Sequence, residues 1–235
     1  MHFCLRASCA FVYIFDALID RQQKGTTVFD AVLFDLDGTL IDTERLALNA
    51  TVSAFVDMGF DADLAFLHQL VGKDLPTGDR LIAARYPNLD LAELGQRVAA
   101  AMGQELLSGM PLKLGVLDLL AQIRHPKAIV TSSSRDRAIE KVGQAGLTAH
   151  FDHLISLDDV ARAKPAPDPY LLAAKLLGVA PSRCLVFEDS EVGAEAAHAA
   201  GMRVVQVPDM VPSQGRFAHH LADDLISGAR AAGLI

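Results

Sequence analysis

The chain has 235 residues, 51% apolar and 21% charged, with a net charge of −8 and a pI near 5.4. That describes a globular protein with one core, or one core carrying an insertion, large enough to need no covalent staples. The acidic balance argues against nucleic-acid and polyanion partners, and the wide spacing of Cys4, Cys9 and Cys184 fits neither a zinc site nor a disulfide framework, so a reducing cytoplasm is the expected setting.

Residues 1–27 read as an N-terminal extension. The apolar run 9–15 is too short to cross a membrane, and Asp16 and Asp20 follow it closely. Only Arg6 precedes it and no clear small-residue cleavage site follows, so an extra helix or tail is expected rather than a secretory signal. An apolar run from Val28 to Leu33 then predicts a buried strand over 28–36. It ends in Asp35-Leu36-Asp37-Gly38-Thr39. Acids two residues apart on an extended chain share a face, and open α/β sheets bind ligands at the C-terminal ends of their strands. Carboxylates held together repel unless a proton or cation relieves them. A hard divalent ion such as Mg²⁺ suits these oxygens. A calcium loop does not fit, because the segment continues with the apolar Leu40 and Ile41.

From 43 to 107 the pattern is helical, with Gly72, Pro76, Gly78 and Pro87 dividing it into short helices. Met110-Pro111 marks a linker. Helices at 114–124, 136–145, 168–178, 191–200 and 221–232 then alternate with strands at 127–132, 153–156, 184–188 and 203–207. Repeated βα units predict an α/β fold with a doubly wound parallel sheet covered on both faces. The predicted core is discontinuous, 28–42 with 111–235. The helical block 43–110 is an insertion placed above the catalytic end.

Three later segments also fall at strand ends. Thr131-Ser132-Ser133-Ser134 offers hydroxyls at a helix start, either a phosphate cradle or ordinary capping. Lys164-Pro165-Ala166-Pro167-Asp168-Pro169 is a stiff loop that can present Lys164 as a fixed charge, with Asp168 expected to cap the next helix. Cys184 to Glu188 is a buried strand ending in Glu188-Asp189-Ser190, and Gly193 is expected to let the following helix pack closely.

Together, Asp35-x-Asp37-Gly38-Thr39, Thr131-Ser132, Lys164-Pro165 and Glu188-Asp189-Ser190-x-x-Gly193 resemble the motifs of the haloacid dehalogenase superfamily over roughly residues 28–210. Thr43-Glu44, Lys164-Pro-Ala-Pro-Asp168 and Phe187-Glu188-Asp189-Ser190 are most similar to the branch of β-phosphoglucomutase and small sugar-phosphate and nucleotide phosphatases. The resemblance implies a Rossmann-like core with a helical cap. Asp35 would be the nucleophile and Asp37 the general acid and base, supported by Thr39. Mg²⁺ would be held by Asp35, the Asp37 backbone carbonyl and Asp189, with Glu188 as ligand or support. Lys164 and Ser132 would hold phosphate oxygens, with Thr131 as the alternative hydroxyl and Gly38 and Ser133 alongside.

The implied partner is a small phosphate ester, and a monomer or weak homo-oligomer is expected. Substrate choice falls to the cap, where 71–80 is the expected substrate-facing segment. Related mutases carry an arginine soon after the glycine that corresponds to Gly72. Here Lys73 stands near that place and Arg80 comes later, so a phosphatase is favoured over a hexose-phosphate mutase. A non-catalytic binder would not need the full carboxylate and lysine set. His150, His153, His219 and His220 lack the spacing of a metal site and are expected to be structural.

Overall fold

Strand β1 is Ala31–Phe34, four residues fully buried on both faces. It is shorter than the 28–36 span predicted because Asp35 already leaves the ladder after donating its N–H to the Phe187 carbonyl at 2.9 Å. Gly38, at φ +84°, then turns the chain, and its N–H closes the turn on the Ile41 carbonyl at 2.9 Å. This is a computed structural model that describes residues 29–71 and 75–235. The expectations for residues 1–27 and for Lys73 lie outside the described residues.

The helical insertion follows: α1 (Thr43–Asp57), α2 (Leu64–His68), α3 (Leu75–Arg85) and α4 (Leu91–Leu106). It buries a cluster of its own, made by Ala54, Phe55, Leu67, Ile82, Leu89 and Leu94. The Tyr86 ring is its hub, with the rings of Phe55, Phe60 and Phe66 at 5.0, 6.2 and 5.9 Å between centroids, each tilted steeply to it. Edge-to-face contacts of this kind suit the aromatic quadrupole.

The remaining chain alternates α5 (Val116–Gln122), β2 (Lys127–Val130), α6 (Arg135–Gln144), β3 (His153–Ile155), α7 (Asp168–Leu177), β4 (Cys184–Glu188), α8 (Glu191–Ala199), β5 (Arg203–Gln206), β6 (His220–Leu221) and α9 (Leu225–Ala231). All strand pairs are parallel, in the order β3-β2-β1-β4-β5-β6. Strand β6 was not anticipated. Two residues carry no alternation to read, and the helix predicted from 221 starts at Leu225, where the Asp224 carboxylate accepts the Ser227 N–H at 2.7 Å.

Side chains alternate across β1. Val32 and Phe34 pack with α5, α6 and α9 on one face, while Ala31 and Leu33 pack with α7 and α8 on the other. The small residues of α8, Ala194, Ala196 and Ala197, let that helix lie close to the sheet. From β1 the winding runs outward to β2 and β3, then returns to β4 on its other side. Loops leaving β1 and β4 diverge there and open a crevice, the place where such sheets bind ligands.

Candidate active site

The register pairs Phe34 with Phe187, so the next residues, Asp35 and Glu188, emerge side by side. Lys164, from the loop before α7, reaches between them. Its ammonium lies 2.7 Å from Asp35 Oδ1, 2.6 Å from Glu188 Oε1 and 2.9 Å from the Val130 carbonyl, which uses all three of its protons. Burial opposes that charge, but the two carboxylates outweigh it and hold the lysine protonated beyond its usual range.

Glu188 is completely buried. Its Oε1 also accepts the Tyr170 hydroxyl at 2.6 Å, and its Oε2 accepts the Ser190 hydroxyl at 3.1 Å and, more weakly, the Ser190 N–H at 3.4 Å. Four protein donors nearly fill the lone-pair sites of a carboxylate. Glu188 therefore has the least left to offer a metal. The carboxylate lies directly over Gly193, where a Cβ would fall inside it. The glycine read as a helix-packing residue is thus what leaves room for the acid.

Asp189 continues β4 and brings its carboxylate against Gly38, where again a Cβ would collide with it. One carboxylate oxygen each from Asp35, Glu188 and Asp189 lies within a 4.8 Å sphere of separations. Burial, then mutual repulsion, pushes the Asp35 and Asp189 carboxyls well above the usual carboxylate range, with Lys164 opposing the shift at Asp35. Three carboxylates whose oxygens converge in a largely buried place, with Glu188 already satisfied by protein donors, fit a hard divalent ion held mainly by Asp35 and Asp189.

Asp37 belongs to a separate group. Its Oδ1 accepts the Thr43 hydroxyl at 2.9 Å and the Lys141 ammonium at 2.6 Å, and its Oδ2 accepts the Ser133 hydroxyl at 3.1 Å. The hydroxyls that orient Asp37 are therefore those of Thr43 and Ser133, not that of Thr39. Thr39 is buried, with no partner for its hydroxyl among the described residues. Thr131 is buried at the end of β2, where its hydroxyl accepts the Ser133 N–H at 3.1 Å, and Ser132 is exposed.

Arg80 is exposed on α3 and bonds back to its own helix, at the Pro76 carbonyl (3.3 Å) and the Thr77 hydroxyl (3.0 Å). Asp168 does not cap α7. It is the first residue of that helix, and its carboxylate pairs with Arg162 at 2.9 Å. His219 is structural, accepting the Val204 N–H at 3.1 Å.

Sequence reasoning missed Lys141 and Tyr170. Lys141 lies seven residues after Ser134, two turns along α6 and so on the same face as the helix start. Tyr170 is in the first turn of α7, just after the stiff proline loop. Neither carries a motif, and only their helical phase pointed at the site.

The haloacid dehalogenase-like hydrolase family matches residues 32–207. The chain is 34% identical over 183 residues to fructose-1-phosphate phosphatase YqaB of Escherichia coli, covering 76% of this chain and 96% of that one. It is 36% identical over 179 residues to hexitol phosphatase A of the same organism, covering 74% and 81%. Among solved structures it resembles a family hydrolase from Deinococcus radiodurans holding phosphate and sodium, with a TM-score of 0.68, 29% identity, and 88% and 89% of the two chains covered.

Proposed function

The chain belongs to the haloacid dehalogenase-like hydrolase family, and on that premise we propose that it is a Mg²⁺-dependent phosphatase of a small phosphorylated metabolite, a sugar phosphate first and a nucleotide second. The observation that carries this reading is the division of labour between two acids only two residues apart. Asp35 is held by Lys164 within the acidic group, while Asp37 is held by hydroxyls and an ammonium outside it. That division supports a nucleophile at Asp35 and a proton-exchanging acid at Asp37.

Phosphoryl transfer starts when an Asp35 oxygen attacks phosphorus in line. The P–O bond to the alcohol breaks as Asp37 delivers its proton to the leaving oxygen. Asp37, now ionised, takes a proton from the water that attacks the aspartyl-phosphate. The P–O bond to Asp35 breaks, phosphate leaves and both acids are restored. Lys164 exchanges one of its three present contacts for a phosphate oxygen, with the hydroxyl of Thr131 or Ser132 beside it. Mg²⁺, held by Asp35, Asp189 and the Asp37 backbone carbonyl, would neutralise charge on the transferring group. Glu188 acts through Lys164, which it fixes. The helical insertion 43–110 serves as the cap that selects the leaving group.

Phosphate release measured across sugar phosphates, nucleotides and small esters tests this directly. Release that needs Mg²⁺, stops in excess EDTA and falls to background in Asp35→Asn is expected. Full activity in Asp35→Asn overturns the covalent route. Conversion of β-glucose 1-phosphate to the 6-phosphate without phosphate loss makes the protein a mutase instead.

A further inference from the structure

We propose that Lys141 is a positioning residue: it fixes the Asp37 carboxylate for proton transfer and does not itself bind substrate. The inference rests on the phosphatase reading above and adds a residue to it. Asp37 is about one-third exposed (32%) and two freely rotating bonds from the backbone. Left alone it would sample several rotamers, whereas a proton donor must sit within hydrogen-bond reach of the leaving oxygen.

Three donors remove that freedom, and they come from different parts of the chain. Thr43 opens the first helix of the insertion, Ser133 follows β2, and Lys141 stands 104 residues from Asp37 along the chain. Ser133 also accepts from Lys141 at 3.1 Å, which closes a triangle of ammonium, hydroxyl and carboxylate. The helix geometry explains the reach. Side chains lean toward the helix N-terminus, and Lys141 shares the face of the α6 start, so its stem runs back up toward the strand ends. The Lys141 ammonium is 2.6 Å from the Asp37 carboxylate, has the Ser133 hydroxyl as a second partner and is only 24% exposed, so its contacts are all with the group it would hold in place. A routine surface ion pair is worth little and would have no bearing on turnover.

The test uses steady-state hydrolysis of p-nitrophenyl phosphate by the full chain with saturating Mg²⁺. Lys141→Met is expected to lower kcat by about 10- to 100-fold, the scale of a misplaced catalytic group, with KM within about twofold. In an Asp37→Asn background the same substitution is expected to change kcat by less than about twofold, since residues acting as one unit are not additive. Ser133→Ala, which removes the other core donor, is expected to show the same dependence on Asp37. A raised KM at unchanged kcat makes Lys141 a substrate clamp and overturns the proposal. So does an equal loss in the Asp37→Asn background, or no change at all. If Asp35→Asn is inactive while Lys141→Met matches wild type, only this proposal fails; if Asp35→Asn keeps its turnover, the phosphatase mechanism fails with it.

Discussion

At the scale of single residues, the site depends as much on missing atoms as on present ones. Gly193 and Gly38 each leave the space that a buried carboxylate fills. Gly193→Ala must push Glu188 aside and so release Lys164 from its second anchor. Loss of most phosphatase activity is expected, on the order of 10²-fold or more, the scale of removing one transition-state donor. Mg²⁺ binding, measured by calorimetry, should weaken in the same variant. Tyr170→Phe is gentler. It deletes one donor to a buried charge, which costs about 1–3 kcal/mol, and in a protein this size each kcal/mol lowers the melting temperature by about 2–4 °C. Thermal melting checks it, and a variant as stable as wild type would show that the Tyr170 hydroxyl bond is not needed. The four acids and Lys164 were legible in the sequence because each ends a strand or sits in a rigid loop. Tyr170 and Lys141 were not, because a side chain reaching across from a helix leaves no trace in local pattern.

At the scale of elements, strands embedded in the sheet announced themselves and edge pieces did not. Cys184–Glu188 has a run of apolar residues buried on both faces, and its predicted bounds match the strand. The two residues of β6 gain their place only from β5 beside them. The helical insertion was legible from its periodicity, but its separate core was not, because which helices pair is a property of packing. That separate core has a measurable consequence. Phe55 is fully buried against Tyr86, and Phe55→Ala is expected to cost about 3–5 kcal/mol. Hydrogen exchange should accelerate across α1 to α4 while β1 and β4 stay protected. Uniform acceleration over the whole chain would mean that the insertion and the sheet unfold as one unit.

At the scale of the whole molecule, charge is the governing quantity. Among the described residues, Asp35 and Glu188 pair with Lys164 and Asp37 pairs with Lys141, while Asp189 joins the acidic group, so a cation is expected to ease the approach of a phosphate dianion. Metal-free Asp35 and Asp189 hold protons in the folded state that they lose when unfolded, because their folded carboxyls titrate higher. Stability falls with rising pH wherever the folded state binds more protons. The metal-free protein is thus expected to lose stability from about pH 4, where an unfolded carboxylate titrates, up to about pH 9, past the folded values of about 8 for Asp35 and about 9 for Asp189. Mg²⁺ should raise the melting temperature more at the upper end; an equal rise at both ends would place the ion elsewhere. Outside the site, the taper of the sheet has its own effect. Its described edges are β3, with three residues, and β6, with two. Neither offers a long unpaired ladder of N–H and C=O groups, so each resists templating a strand from another copy. The architecture that gathers its longest strands at the chemistry thereby also guards against edge-to-edge aggregation.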